Sequence, residues 1–245
     1  MESSSQEQRC LALNNLGATF IRNGNYEKAI GSLCDSIASM KRILREQAKT
    51  NKQSTNNKKV AEHDDEVVQQ WFNDCIMNYQ SKQQDDSSTS SSSSTATNDA
   101  SFGYICQHPI SIPEDSTQPT RIHSIVAMYN LALSHHLKAH QTNNDFIDDM
   151  NLQKAGTLYE LCYEMIQVEE IDAGPFFMMA IANNIGQIHA VRGADEQAAL
   201  FFEHLLQTQM FLVDCGDVEH APAIMDGYWR NTSRLVLSNC SAAAA

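Results

Sequence analysis

The sequence predicts an all-α fold of repeated helix-turn-helix units, interrupted by a long disordered insertion and a short extended segment. Three observations carry that expectation. Eight marked positions near the N-terminus recur 169 residues further on. From Arg121 almost to the C-terminus, apolar residues fall at the three- and four-residue spacings of amphipathic helices. Residues 83–101, QQDDSSTSSSSSTATNDAS, hold no apolar residue larger than alanine and cannot offset the entropy of ordering.

The first unit occupies residues 1–49, marked by Leu16, Gly17, Phe20, Gly24, Tyr26, Ala29, Leu33 and Ser36. Residues 50–101 read as a low-complexity linker, with a short helix at 66–79 where Val68, Trp71, Phe72, Cys75, Ile76 and Tyr79 keep helical spacing. That island either docks on the body or recognises a partner; docking is favoured because exposed Trp71 and Phe72 would be adhesive. Residues 102–120 form an extended segment expected to lie on the surface, since Pro109 and Pro113 bias the residues before them away from the α region.

A second unit follows at 121–168. Leu131, Ala132 and His135 match its first helix, and Ala155, Tyr159 and Cys162 its second, after a loop insertion at 141–151. The third unit, 175–214, carries Ile185, Gly186, His189, Gly193, Asp195, Ala198, Phe202 and Leu205, each displaced by 169 from the first. Residues 215–245 supply a C-terminal capping helix and tail, with Ile224, Tyr228, Thr232 and Leu235 or Val236 as its apolar stripe. Glycine has two separate tasks here. Gly17 and Gly186 sit inside helices, where only close packing compensates a cost of roughly 1 kcal/mol against alanine, while Gly24 and Gly193 end a helix with positive φ.

These units resemble the tetratricopeptide repeat, whose pattern places a large apolar residue and Gly or Ala in the first helix, Gly at the turn, then Tyr, Ala and an aromatic in the second. The resemblance covers about residues 10–49 and 121–214. Ser36, Cys162 and Leu205 depart from it by replacing the last alanine, Asp195 replaces the turn tyrosine, and no proline ends a unit. It implies an α-solenoid with units one and two stacked across the linker, acting as a non-catalytic scaffold or adaptor. It also implies that Asn14, Asn15, Asn130, Asn183 and Asn184 line a concave groove, where amides can bond the backbone of an extended peptide with both donor and acceptor. The competing reading of these asparagines is helix-to-helix bonding. Replacing Asn130 and Asn184 with alanine is expected to weaken partner capture with little change in thermal midpoint. The places matching the basic residues of the family's carboxylate clamp hold Asn14, Ala180 and Asn184, so a terminal carboxylate would meet no countercharge.

Composition narrows the partners. A net charge of −13 argues against nucleic acid and anionic membranes, although the stretch 41–59 alone is +6. The expected partner is a protein or a neutral-to-basic peptide, and the alternative is a self-associating structural or oligomerising protein using Trp71, Phe72 and the insertion. A serine tract that is phosphorylated and competes for the basic 41–59 arm is a third reading. Seven scattered cysteines without a CxxC pair, and no secretory leader, suggest a reduced intracellular protein, cytoplasmic with the nucleus open. No GxSxG, phosphate loop or HExxH is present, so neither enzyme nor cofactor nor metal is expected. His136 and His140, four apart, carry no supporting ligand motif. His135 and His189 share a packing position in the repeat, and Met165, Met178, Met179 and Met210 are expected to fill the core.

Overall fold

The computed structural model describes residues 2–52, 103–113, 121–141, 148–171, 173–215 and 225–233. Among them every regular element is an α-helix and none is a strand. In chain order these are α1 (Glu2–Arg22), α2 (Tyr26–Lys52), α3 (Arg121–Gln141), α4 (Asp149–Val168), α5 (Pro175–Val191), α6 (Asp195–Cys215) and α7 (225–233). The chain divides into two compact units, one of residues 1–43 with 99–245 and one of residues 44–98; everything below concerns the first. The low-complexity tract and the helix expected at 66–79 lie outside the described residues, as do Ile224, Leu235 and Val236. Helix α2 continues through Thr50 to Lys52, past the boundary expected at residue 49.

Short turns fold α1 onto α2 and α5 onto α6. Gly24 and Gly193 both have φ 71°. At each turn the glycine N–H donates to the carbonyl three back and the next residue's N–H to the carbonyl five back: Asn25 to Phe20 at 2.9 Å, Ala194 to His189 at 2.9 Å. This is the double bond of a helix C-terminus that needs a left-handed residue. The middle turn differs. Asp148 caps α4 by accepting from Asn151 N at 3.1 Å, so residues 149–151 are helical rather than part of the insertion expected at 141–151. An acidic side chain at that point satisfies an orphan N–H, which fixes where the helix begins.

The helical pairs close through small residues. A Cβ on Gly17 would stand 2.5 Å from Leu33 Cγ, and one on Gly186 would stand 2.7 Å from Phe202 Cε1, the same pair of places 169 residues apart. Ala29, Ala155 and Ala198, at one repeat place in the second helices, are buried as well. A polar contact also repeats: Ser36 Oγ donates to Cys10 O at 2.6 Å, and Cys162 Sγ to Ile125 O at 3.6 Å. The side chain at this repeat place thus bonds the first helix of its own pair, and Leu205, at the same place in the third, has no such group to offer.

Successive pairs touch. Lys138 on α3 pairs with Glu27 on α2, Ser124 Oγ lies 3.8 Å from Met40 Sδ, and His136 Nε2 lies 2.8 Å from Gln187 Oε1 on α5. Tyr129 packs edge-on against Phe177 with centroids 5.2 Å apart. Leu131 and Ile185 are buried at 4% and 1% exposure, but Leu16, at the same repeat place, is 44% exposed. Both α3 and α5 follow a helical pair in the chain, whereas α1 follows none. The methionines divide: Met179 is buried, Met165 and Met178 are half-buried, and Met210 is 49% exposed on α6, correcting its assignment to the core.

Candidate functional site: an asparagine ladder around an extended segment

Residues 103–113 run extended across the first helices of the pairs. Part of the segment is buried, rather than the whole lying on the surface as the sequence suggested. Ile105, Cys106 and Ile112 are buried, at 9%, 3% and 3% exposure. Surface placement follows from prolines alone; it overlooks that a row of amides can replace the hydrogen bonds a buried extended chain gives up.

The contacts follow a two-residue period. Asn231 on α7 accepts from Tyr104 N at 2.9 Å and donates to Tyr104 O at 2.7 Å. Asn184 on α5 accepts from Cys106 N at 2.8 Å and donates to Cys106 O at 3.1 Å. Asn130 on α3 accepts from Ile110 N at 2.9 Å and donates to Ile110 O at 2.7 Å. Asn15 on α1 accepts from Ile112 N at 2.7 Å and donates to Ile112 O at 2.8 Å. In an extended chain the N–H and C=O of one residue point the same way, and alternate residues point to opposite sides. A carboxamide offers one donor and one acceptor in matching array, so one asparagine closes one residue. The segment therefore runs from α7 toward α1, opposite to the order of the helical pairs.

The residue preceding Asn15, Asn130 and Asn184 serves the neighbouring rung. Asn14 donates to Ile110 O at 3.3 Å and Asn183 to Tyr104 O at 3.1 Å. In the middle pair that place is Tyr129, whose hydroxyl donates to His108 O at 3.4 Å. Residues 104, 106, 108, 110 and 112 are thus each met by a side chain, while Pro109 and Pro113, which lack an N–H, fall on the odd places.

The asparagines also bond one another: Asn130 Nδ2 to Asn14 Oδ1 at 2.9 Å, Asn231 Nδ2 to Asn183 Oδ1 at 2.7 Å, Asn14 Nδ2 to Asn15 Oδ1 at 3.2 Å, and Asn183 Nδ2 to Asn184 Oδ1 at 3.0 Å. The same amides link helices and hold the chain's own residues 103–113. Asn14, Asn130, Asn183 and Asn184 are fully buried, and Asn15 is half-buried. A fully buried amide cannot be removed without leaving polar groups dry, so the expectation that Asn130 and Asn184 could be replaced at little thermal cost does not survive this geometry.

Side chains of the segment enter defined places. Tyr104 lies across Gly227, where a Cβ would stand 2.4 Å from its ring, and meets Tyr228 edge-on with centroids 5.6 Å apart. Cys106 Sγ accepts from Tyr228 Oη at 3.2 Å and lies 3.9 Å from Tyr129 Oη. Asn184 Nδ2 donates to Tyr159 Oη at 3.0 Å behind it. Burial raises the phenols of Tyr129, Tyr159 and Tyr228 above their ordinary pKa, keeping them protonated. At the other end Arg22 donates to Pro109 O at 3.3 Å and Ser111 Oγ at 3.0 Å.

The sequence reading missed two members, Asn231 and Tyr129. Tyr129 was discoverable, because it stands where Asn14 and Asn183 stand in the aligned units. Asn231 carries no repeat around it, so no aligned position marks it in the sequence.

Away from the ladder, His135 Nδ1 meets Asn151 Oδ1 at 2.7 Å, and burial lowers its pKa to about 4. His136 is lowered to about 3 by burial and by His140, whose ring lies 5.4 Å away. His189 Nε2 lies 3.4 Å from Glu160 and its ring stacks on Phe201. Among the described residues no group of three or more His, Cys, Asp or Glu is placed to hold a metal ion, and no helix is long and apolar enough to cross a membrane. No protein-family model matches the chain, nor does any curated protein or solved structure.

Proposed function

We propose that this protein is a non-catalytic interaction scaffold, a tetratricopeptide-like α-solenoid whose concave groove binds an extended peptide and, in the free chain, holds its own residues 103–113. What supports the reading above all is the pairing of one carboxamide with one residue's N–H and C=O at Tyr104, Cys106, Ile110 and Ile112. Such contacts grip the backbone of any extended chain and leave sequence preference to its side chains.

The test replaces residues 103–113 with glycine and serine of equal length and titrates the variant with the free peptide GYICQHPISIP. Saturable binding with one site per chain is expected, together with its weakening on Asn15→Ala, the half-buried member of the ladder. A folded variant that ignores the peptide overturns the proposal. The self-associating alternative rests on Trp71 and Phe72, outside the described residues, and gains some support from Met210, Phe211 and Val213, each more than 44% exposed on α6. Light scattering on the intact chain and on one lacking 60–82 separates the two.

A further inference from the structure

Resting on that groove reading, we infer which peptides the groove accepts: uncharged extended segments with an aromatic residue at the first place, a thiol or hydroxyl residue at the third, and β-branched residues at the seventh and ninth. Counting from Tyr104, these are the places of Tyr104, Cys106, Ile110 and Ile112. The intended occupant is such a segment on a partner protein, competing with the resident one.

Each requirement has its own physical source. At the first place the floor is the bare backbone of Gly227, which leaves just the depth of a flat ring, and the edge of Tyr228 forms the wall. An aliphatic side chain would leave that wall uncovered. At the third place the side chain meets the hydroxyls of two buried tyrosines, Tyr129 and Tyr228. The Tyr228 hydroxyl needs an acceptor there, since Tyr129 gives its proton to His108 O, and the fully buried rings leave no depth for a longer side chain. A sulfur or hydroxyl oxygen one carbon from the backbone meets both demands, alanine fails the first, and leucine fails the second. The ninth place is 97% enclosed around Ile112, and extended backbone favours β-branched residues there and at the seventh.

Charge is excluded along most of the thread. The groups that meet the backbone are neutral amides and phenols, so a buried lysine or aspartate at the first, third or ninth place would have no counter-ion. That revises the neutral-to-basic peptide suggested by net charge. Arg22 faces the carbonyl of the sixth place and the hydroxyl of the eighth, Ser111, so an acceptor or acidic group is welcome there. The fourth, fifth, eighth and tenth places, occupied by Gln107, His108, Ser111 and Pro113, are exposed and read nothing from their side chains apart from that arginine.

The resident segment belongs to the same chain and so competes as an intramolecular ligand, at an effective concentration that a free peptide has to exceed. A partner therefore needs either high local concentration or a better fit at these four places.

The experiment compares GYICQHPISIP with single-residue variants on the glycine-serine chain by fluorescence anisotropy. Serine at the third place is expected to bind within about threefold of cysteine, whereas leucine there, or alanine at the first, loses at least about tenfold, equivalent to about 1.4 kcal/mol. Alanine at the fourth and fifth places leaves affinity unchanged. Equal binding of the cysteine and leucine peptides overturns the inference while leaving the groove reading intact; no binding by any of them overturns the groove reading itself. Should the glycine-serine chain fail to fold, the intact chain serves. Excess free peptide is then expected to speed amide exchange at Tyr104, Cys106, Ile110 and Ile112, and the leucine peptide is not. Acceleration by both, or by neither, counts against the inference.

Discussion

Replacing Asn184 with alanine probes the ladder where it is deepest. Asn184 is fully buried and closes both polar groups of Cys106, at 2.8 and 3.1 Å, while also donating to Tyr159 Oη at 3.0 Å. Alanine leaves the Cys106 N–H and C=O dry, and each such group costs about 1–3 kcal/mol. The native state is thereby raised by about 2–6 kcal/mol unless the segment lifts away and rehydrates. Even the lower figure would drop the thermal midpoint by about 4 °C or more, at roughly 2–4 °C per kcal/mol in a domain of this size. Lifting would appear as faster exchange of the Cys106 amide, by about 30-fold for 2 kcal/mol. Hydrogen exchange read by mass spectrometry or NMR, alongside thermal unfolding, is the assay. Asn15→Ala is the internal comparison, because Asn15 is half-buried and water can replace part of what it gives Ile112. Unchanged exchange at Cys106 in the Asn184 variant, or a larger loss from Asn15 than from Asn184, would refute the reasoning.

Three further outcomes are expected. Gly186→Ala drives a Cβ to 2.7 Å from the Phe202 ring and should lower stability in urea by about 1–2 kcal/mol, overpacking outweighing the gain in helix propensity; Phe202→Leu should recover part of it. Gly227→Ala pushes on the Tyr104 ring, so protease cleavage within 103–113 should quicken while the far end of the groove, scored by exchange at Ile112, stays closed. Acid should destabilise the fold through His135 and His136. Their folded pKa values of about 4 and 3 lie below the ordinary value of 6.5, so the unfolded chain binds more protons, and stability complete above pH 6.5 falls as pH drops toward 4. Between pH 7 and 5 each contributes a loss of about 2 kcal/mol. His136→Gln should flatten that slope, and an identical pH profile in the variant would show that burial of the imidazole is not its source.

The helical pairs were legible because their signals are local. The 169-residue displacement aligned Gly17 with Gly186 and Leu33 with Phe202, and the same two contacts recur in space. Asn14, Asn15, Asn130, Asn183 and Asn184 were legible as a set because side chains at one repeat place share a face. What fills that face was not. Contacts such as Asn15 with Ile112 join residues 97 apart, and nothing in a periodic pattern says where a nonperiodic segment travels. Asn231 was hidden for a related reason, since α7 belongs to no repeated pair. Met210 misled because methionine is commonly interior, yet α6 turns that position outward, where it is 49% exposed.

The placement of Pro109 and Pro113 on the odd rungs has a consequence for how this molecule behaves in company. Apart from the Arg22 bond to Pro109 O, the ladder holds the segment along one side, and its other side would ordinarily invite a strand from a neighbouring molecule. Here two of the outward peptide groups have no hydrogen to offer, and an added strand would lose its register at both. The same two residues that the ladder never grips thus blunt the edge it creates, so a chain holding its thread should resist fibrillar stacking as well as unfolding.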